Sequence, residues 1–497
     1  MLNMQYFLST RQDVNTSAIE LGQVKRLRIF DSLGVDSKII ELEKNDFSTE
    51  TQNKLKIQGK VINIFHYFQG LDNIEKLDTN LVLKNILEKD NLIRKGNIAY
   101  SGDKPVINAH LYGNRIYYVD YLDQYGFTVK REFFVNNHLD YTEYFDDQAH
   151  LMMRVFSNKE NIPIIYEYFC VSNENQPLLT MIELRKSATE SIRFNNNSDF
   201  QAYFLDEIAR RDDQAVFYCD RSSEILPAFE KMKYRLPIYV MLHSALTPSG
   251  NINDEIYSVY KPITKLYEEG KIKGVISSTQ EEAKDVKRAL EVENSYAIPV
   301  TSIEEVAKVP FTSRVPGKII AVARVDAIKQ LDHLFNAVIQ LHKKYPELDL
   351  SIYGNVTDQK ENKKLKQIVA DNQAENFIHF VGFVQNLDEA YNSAQLEVLT
   401  SKSEGFAMAI LEAQAHGCLV VSYDINYGPA DIIKNNYSGR LIPANDQEKL
   451  KNTIEELMTN PKLLASYSEG AYENSKRFDM DHLRNRWLEF LKTEKLV

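Results

Sequence analysis

The apolar positions change their period twice along this chain. From Gly317 onward, short apolar runs alternate with helical patterns. Lys318 to Ala323 (KIIAVA) reads as a buried strand, about Ile328 to Lys344 as a helix, and Leu348 to Tyr353 as a strand ending at Gly354. A charged helix follows over roughly Lys360 to Asn372, then strands over Phe377 to Val381 and Leu396 to Thr400. Ala407 to His416 reads as a helix and Cys418 to Tyr423 as a further strand. Strand and helix alternating at this spacing predict a parallel sheet covered by helices on both faces. Ligands of such sheets sit beyond the carboxyl ends of the strands. The loops after Ala323, Tyr353, Val381 and Thr400 therefore share one rim.

The first stretch repeats this grammar more weakly. Met4 to Leu8, Lys38 to Leu42 and Val61 to Phe65 read as strands, and Ser17 to Leu33 as an amphipathic helix with Ile19, Val24, Leu27 and Phe30 among its apolar positions. The pattern resumes at Leu236 to Leu242 and Gly274 to Ser277. Between them, about Ile98 to Phe194, runs such as NRIYYVDYLD, TVKREFFV, LDYTEYFD and IPIIYEYF mix apolar and polar residues at strand spacing. That predicts an antiparallel meander inserted in the N-terminal domain. The expected class is α/β, with two Rossmann-like domains joined by a hinge at Phe311 to Pro316. A last helix spans Asp481 to Lys492, with Leu483, Trp487 and Phe490 on one side.

A chain of 497 residues exceeds one ordinary core, which agrees with two domains. No stretch of eighteen uninterrupted apolar residues predicts a membrane span, and MLNMQYFLSTRQ lacks the form of a signal peptide. The expected location is the cytoplasm. Cys170, Cys219 and Cys418 show neither a disulfide framework nor zinc spacing and read as small core residues. A net charge of −11 argues against general affinity for nucleic acid. The 28 Tyr and 24 Phe read first as sheet residues, and second as a surface for stacking sugars.

Two clusters carry candidate chemistry. In SKSEGFAMAILEAQAHG, residues 401 to 417, Gly405 ends a loop and a helix begins near Ala407. The free N–H groups and positive dipole of such a helix start form an anion site. Glu404 and Glu412 are eight residues apart, about 12 Å of helical rise. One carboxylate can then accept from hexose hydroxyls and the other from ribose hydroxyls, although bare glutamate pairs of this spacing are common on surface helices. In AVARVDAIKQLDHL, Arg324 follows a buried strand and Lys329 falls in the first turn of the next helix. A cation opposes the dipole there, a conflict that a bound diphosphate would remove; otherwise the two are a solvated surface pair. Taken alone, His243 in VMLHSAL reads as a satisfied core residue. Asp481 of Asp479-Met480-Asp481 reads as a helix N-cap. The pairs His138 with His150 and His333 with His342 lack ligand spacing, so no metal site is expected.

Residues 318 to 434 resemble the donor-binding domain of family 4 retaining glycosyltransferases, which have the two-domain GT-B fold. The matching elements are Glu404-x7-Glu412, Arg324-x4-Lys329, Tyr353-Gly354 and Gly382-Phe383. VVSYDINYGPADII, residues 420 to 433, is similar to a narrower branch: teichoic acid α-glycosyltransferases and the enzymes that glycosylate serine-rich or Ser-Asp-repeat adhesins. Members of that branch also carry an antiparallel insertion, which YYVDYLDQYGFTVKREFF resembles. The resemblance implies residues 1–310 as the acceptor-side domain with the 98–194 insertion, 317–480 as the donor-nucleotide domain, and 481–497 as a helix packing back toward the first.

It also implies a UDP-sugar donor and no metal or other cofactor. Arg324 and Lys329 hold the diphosphate, Glu404 contacts the hexose and Glu412 the ribose. Backbone amides at Gly405, Phe406, Ala407 and Met408 cap the phosphates, Gly354 and Phe383 line the donor site, and His243 lies near the reacting sugar. The acceptor-side loop matches Asn15, Thr16, Ser17 and Ala18. The family usually has a glycine in that loop; this sequence has none, which narrows the backbone angles facing the acceptor. Two acceptors fit the branch: the polyol-phosphate chain of wall teichoic acid, preferred, and serine or threonine of a surface protein. A non-catalytic, adhesin-binding partner of a sister enzyme is the reading from another class. The aromatic meander predicts a homo-oligomer, and an envelope acceptor implies peripheral association with the inner face of the membrane.

Overall fold

The computed structural model describes residues 3–13, 17–89, 91–304 and 306–497. It divides into two compact units: Met1–Ile238 with Gly270–Ile272, and Tyr239–Glu269 with Lys273–Val497.

In the first unit, parallel strands run in the order Val216–Cys219, Gln5–Ser9, Ser37–Glu41, Val61–Asn63. The expected strand to Phe65 stops at Asn63, whose side-chain oxygen accepts from the backbone N–H of Phe65 at 3.0 Å and starts the helix Ile64–Gln69. Helix Ala18–Ser32 is opened by a capping box between Ser17 and Glu20. On that helix, Arg26 is paired with Asp220 at 2.6 Å, and the pair is almost fully enclosed, with side chains 5% and 0% exposed. Gln23 also donates to Asp220, at 2.9 Å.

The expected meander is a ten-stranded antiparallel sheet in consecutive order, from Ile93–Lys95 to Ser191–Phe194. Its polar ladder is charged. Arg154 lies opposite both Glu143 and Glu167 in the register and bonds them at 2.9 and 2.6 Å. Beside this ladder, Phe133 stacks on Tyr141, with ring centroids 4.5 Å apart. The aromatics thus build the sheet itself, in agreement with the first of their two readings.

In the second unit, Ile238–Met241, Gly274–Ser277 and Ser295–Ala297 pair in parallel. A separate six-stranded parallel sheet runs Ile378–Gly382, Asp349–Tyr353, Lys318–Val322, Leu396–Leu399, Leu419–Asp424, Gly439–Pro443. The strand that comes first in sequence, Lys318–Val322, is central, and the order reverses on either side of it. The rim above that reversal is where a doubly wound sheet opens a crevice. The last helix, Met480–Thr493, sets Phe490 edge-on to Tyr239 and Tyr296 at 5.0 and 4.9 Å.

Several expectations are corrected. The helix from Ile328 is a 3-10 turn, Ala327–Lys329, followed by Leu331–His342, because Gln330 between them is left-handed at φ 45°. The cap of the final helix is Asp479, not Asp481; its carboxylate accepts from His482 N–H at 2.8 Å. Cys219 and Cys418 are buried, but Cys170 is exposed. Within the segment Phe311 to Pro316, where the hinge is expected, buried Arg314 donates to the carbonyls of Tyr391, Ala394 and His416. No helix among the described residues is long and apolar enough to cross a membrane.

A charge left alone in the interior is expensive, whereas an apolar pair of similar volume is tolerated. Asp220→Ala should therefore lower stability by about 3–5 kcal/mol, and Arg26→Met with Asp220→Leu should recover most of that loss. Chemical denaturation of the three proteins measures both.

Candidate active site

The site grows from the two loops above the strand reversal. After Lys318–Val322 the chain turns through Arg324 and Asp326, whose carboxylate accepts from Ile328 N–H at 3.0 Å and fixes the 3-10 turn. After Leu396–Leu399, Thr400 donates its hydroxyl to the carbonyl of Lys329 at 2.9 Å, and Lys402 N–H donates to the carbonyl of Ile328 at 2.8 Å. These bonds staple the loops together. Lys329 Nζ then meets Glu404 Oε1 at 2.6 Å, with both side chains 14% exposed. Ser401 Oγ donates to the same oxygen at 2.6 Å. Oε2 takes no hydrogen bond among the described residues and can accept one from a ligand hydroxyl. The Glu404 backbone is held from both sides: its N–H donates to Asn426 at 3.1 Å, and its carbonyl accepts from Tyr427 N–H at 2.8 Å.

Lys329 therefore lies at the end of a 3-10 turn and not in the first turn of a helix, so the expected conflict with a helix dipole does not arise. Its positive charge is answered by Glu404. Arg324 is exposed and has no side-chain partner among the described residues. A cavity of about 420 Å³ is lined by His243, Arg324, Lys329, Glu404, Gly405 and Tyr257, among others. Gly405 is needed here for close approach, since a Cβ on it would run into the carbonyl oxygen of His243.

Beyond Gly405, Phe406 is buried with its ring edge-on to Phe478 at 6.0 Å. Ala407, left-handed at φ 61°, precedes helix Met408–Ala415. The helix start is as expected, with Glu404 before it and Glu412 within it. The separation of Glu404 from Glu412 is thus part loop and part helix, not eight residues of helical rise. Gly354 packs against the carbonyl of Ala323, directly before Arg324, where a side chain would collide. Its N–H donates to Gly382 at 2.9 Å, and Phe383 is largely exposed. Ser17 and Ala18 belong to the first unit, as the cap and first residue of a helix; Asn15 and Thr16 lie outside the described residues.

Nothing in the residues alone singles out Ser401, Tyr391 or Glu397. Ser401 stands three residues before Glu404, a spacing that suits a hydroxyl reaching back across a turn. Buried Tyr391 donates to Glu412 Oε2 at 3.1 Å and so orients that carboxylate. Glu397 is 1% exposed, and its Oε2 has no hydrogen-bond partner among the described residues. Burial, then the nearby charge of Glu412, holds Glu397 well above the usual carboxylate range, against one bond from the Val322 backbone. It is an acid held toward its neutral form, behind Glu412. Among the described residues, no three His, Cys, Asp or Glu side chains gather as a metal-binding group.

With this geometry in place, comparison with known proteins is informative. Residues 303–474 match the family described as Glycosyl transferases group 1. The chain is 24% identical to the poly(glycerol-phosphate) alpha-glucosyltransferase of Bacillus subtilis, over 97% of this chain and 69% of that one. It is 25% identical to the UDP-N-acetylglucosamine–peptide N-acetylglucosaminyltransferase GtfA subunit of Streptococcus agalactiae, over 96% of each. A solved S. aureus TarM mutant, in complex with fondaparinux, alpha-GlcNAc-glycerol and UDP, superposes with a TM-score of 0.78. It is 20% identical to this chain, with 98% of this chain and 99% of that one covered. The fold is GT-B.

Glu397 gives a pH signature. The folded chain holds its proton above the usual range, while the unfolded chain releases it near 4.5. Rising pH therefore draws the wild type toward the unfolded state from that point upward. An amide cannot ionise, so the Tm of Glu397→Gln should gain on wild type as the pH rises above about 4.5. A constant gap between the two Tm curves would contradict the neutral-acid assignment.

Proposed function

We propose that this glycosyltransferase is a metal-independent, retaining enzyme of family 4 that moves an α-linked glucose or N-acetylglucosamine from a UDP-sugar to hydroxyls of wall teichoic acid. One observation carries the reading: Arg324, Lys329 and Glu404 meet in one cavity above the strand reversal. Breaking the anomeric C–O bond builds positive charge on the sugar and negative charge on the departing UDP. Lys329, held in place by Glu404, and Arg324 are cations facing that negative charge, and their stabilisation grows as the bond lengthens. Glu404 Oε2 accepts from hexose hydroxyls, and Glu412, oriented by Tyr391, accepts from the ribose. The acceptor hydroxyl attacks the face that UDP leaves. Its oxygen bonds to the anomeric carbon, its proton passes to the leaving phosphate, and the configuration is retained without an enzyme nucleophile. Because this mechanism needs no enzyme nucleophile, Glu404 is read as a hydroxyl acceptor and not as half of a glycosidase carboxylate pair.

The teichoic acid reading is supported by the likeness to the B. subtilis transferase. The similar likeness to GtfA, over nearly the whole of both chains, supports serine or threonine of a surface protein as the second acceptor. A purely adhesin-binding role would leave the assembled Arg324, Lys329, Glu404 and Glu412 without work. We place the enzyme in the cytoplasm at the inner face of the membrane. We further propose a homo-oligomer formed through the ten-stranded sheet, where Tyr125 and Phe127 are 76% and 65% exposed.

Transfer assays with UDP-glucose and UDP-N-acetylglucosamine, each with poly(glycerol phosphate) or a serine-rich peptide, test the proposal. Lys329→Met and Glu404→Gln should each lower kcat by about 10²-fold or more while far-UV dichroism is unchanged. A chelator should leave the rate unaltered, and NMR of the product should show an α linkage. Full turnover by either variant would remove the site assignment. Light scattering showing a strict monomer at micromolar concentration would remove the oligomer.

A further inference from the structure

A second cavity, of about 490 Å³, lies in the same unit and shares no lining residue with the first. Its volume is that of an ordinary small-molecule site. Two of its residues act directly on Glu404. Ser401 donates to Glu404 Oε1, and the Asn426 carbonyl accepts the Glu404 N–H.

The lining contains an unmet demand. Gln330 is 9% exposed and set in a left-handed conformation. Its amide nitrogen donates to Asn445 Oδ1 at 2.9 Å, and Asn445 lines the cavity with it. The amide oxygen Oε1 has no partner among the described residues. An enclosed amide oxygen without a donor costs about 1–3 kcal/mol in mutational series, so a turn of the Gln330 side chain that brings this shielded oxygen to a ligand N–H or O–H in the cavity is favoured.

Charge narrows the ligand class. Glu281, Asp285 and Asp424 face the cavity against Arg288 and Lys402, and Arg288 is already bonded to Asp285 at 2.9 Å. This surplus of carboxylate disfavours a phosphate, which brings further negative charge and acceptors. It favours hydroxyl groups, which donate to carboxylates and amide oxygens. We infer that this cavity is a second carbohydrate site, taking one uncharged hexose or polyol unit, with Gln330, Asp424 and Asn445 as its hydrogen-bonding wall. Occupancy is reported to Glu404 through Ser401 and Asn426. The unit comes either from the acceptor chain, next to the hydroxyl being glycosylated, or from free sugar; the first source rests on the transferase reading above.

Saturation-transfer NMR with α-glucosylglycerol and the full chain tests the site independently of catalysis. Wild type should saturate the probe, and Asp424→Asn and Asn445→Ala should each reduce the effect at least about fivefold, with Tm within a few degrees of wild type. No effect in wild type, or equal effects in all three proteins, overturns the proposal. Kinetics then separates the sources. If the acceptor chain fills the cavity, KM for glucosylated poly(glycerol phosphate) lies about tenfold below that for single glycerol phosphate, and both variants erase the difference while UDP-glucose hydrolysis holds. If free sugar fills it, KM values are unchanged in the variants and α-glucosylglycerol alters the hydrolysis rate of wild type only. Probe binding that persists in a chain neither hydrolysing nor transferring from any UDP-sugar would remove the transferase reading and leave this site standing.

Discussion

An ion pair between Lys329 and Glu404, largely withdrawn from water, is the constraint around which the second unit's rim is arranged. Enclosing two charges is costly, and the mutual attraction offsets that only when geometry and further bonds are good. Both conditions are met here: Ser401 adds a donor to the carboxylate, and Thr400 fixes the lysine backbone. The gain is order rather than raw stability. A flexible lysine that would otherwise sample many rotamers is held in one place before any ligand arrives, so little reorganisation remains when a diphosphate enters.

The rest of the unit follows from the need to bring those two residues together. They are 75 positions apart in sequence, yet their strands are adjacent because the sheet runs outward in both directions from Lys318–Val322. Small residues complete the approach. Gly354 lets its loop lie against the carbonyl before Arg324, and Gly405 lets the carbonyl of His243 close on the loop after Glu404. Cation, carboxylate and histidine thus meet through backbone contacts that a side chain would block.

Much of this was legible in the residues. Period and length located the strands of the second unit, and the strand-like runs after Ile98 foretold the meander. What escaped had local causes. Asn63 ended a strand early by capping a helix, and the left-handed Gln330 broke what looked like one continuous helix. Asp479 took a capping role that Asp481, two residues on, could equally have filled. Periodicity cannot see such side-chain-to-backbone bonds, because they depend on where an oxygen points. Tyr391 and Glu397 were hidden for a related reason. In sequence they are an aromatic and an acid among many; only the fold sets them behind Glu412.

A ten-stranded sheet with two open margins invites pairing with other molecules, yet both margins are short strands, three residues at Ile93–Lys95 and four at Ser191–Phe194. Few unpaired amide and carbonyl groups are therefore offered along either margin, and Arg94 and Lys95 on one, with Arg193 on the other, add like charge that repels a neighbouring copy. So broad a sheet can remain in a crowded solution without templating fibres, and any association it makes is directed to its faces.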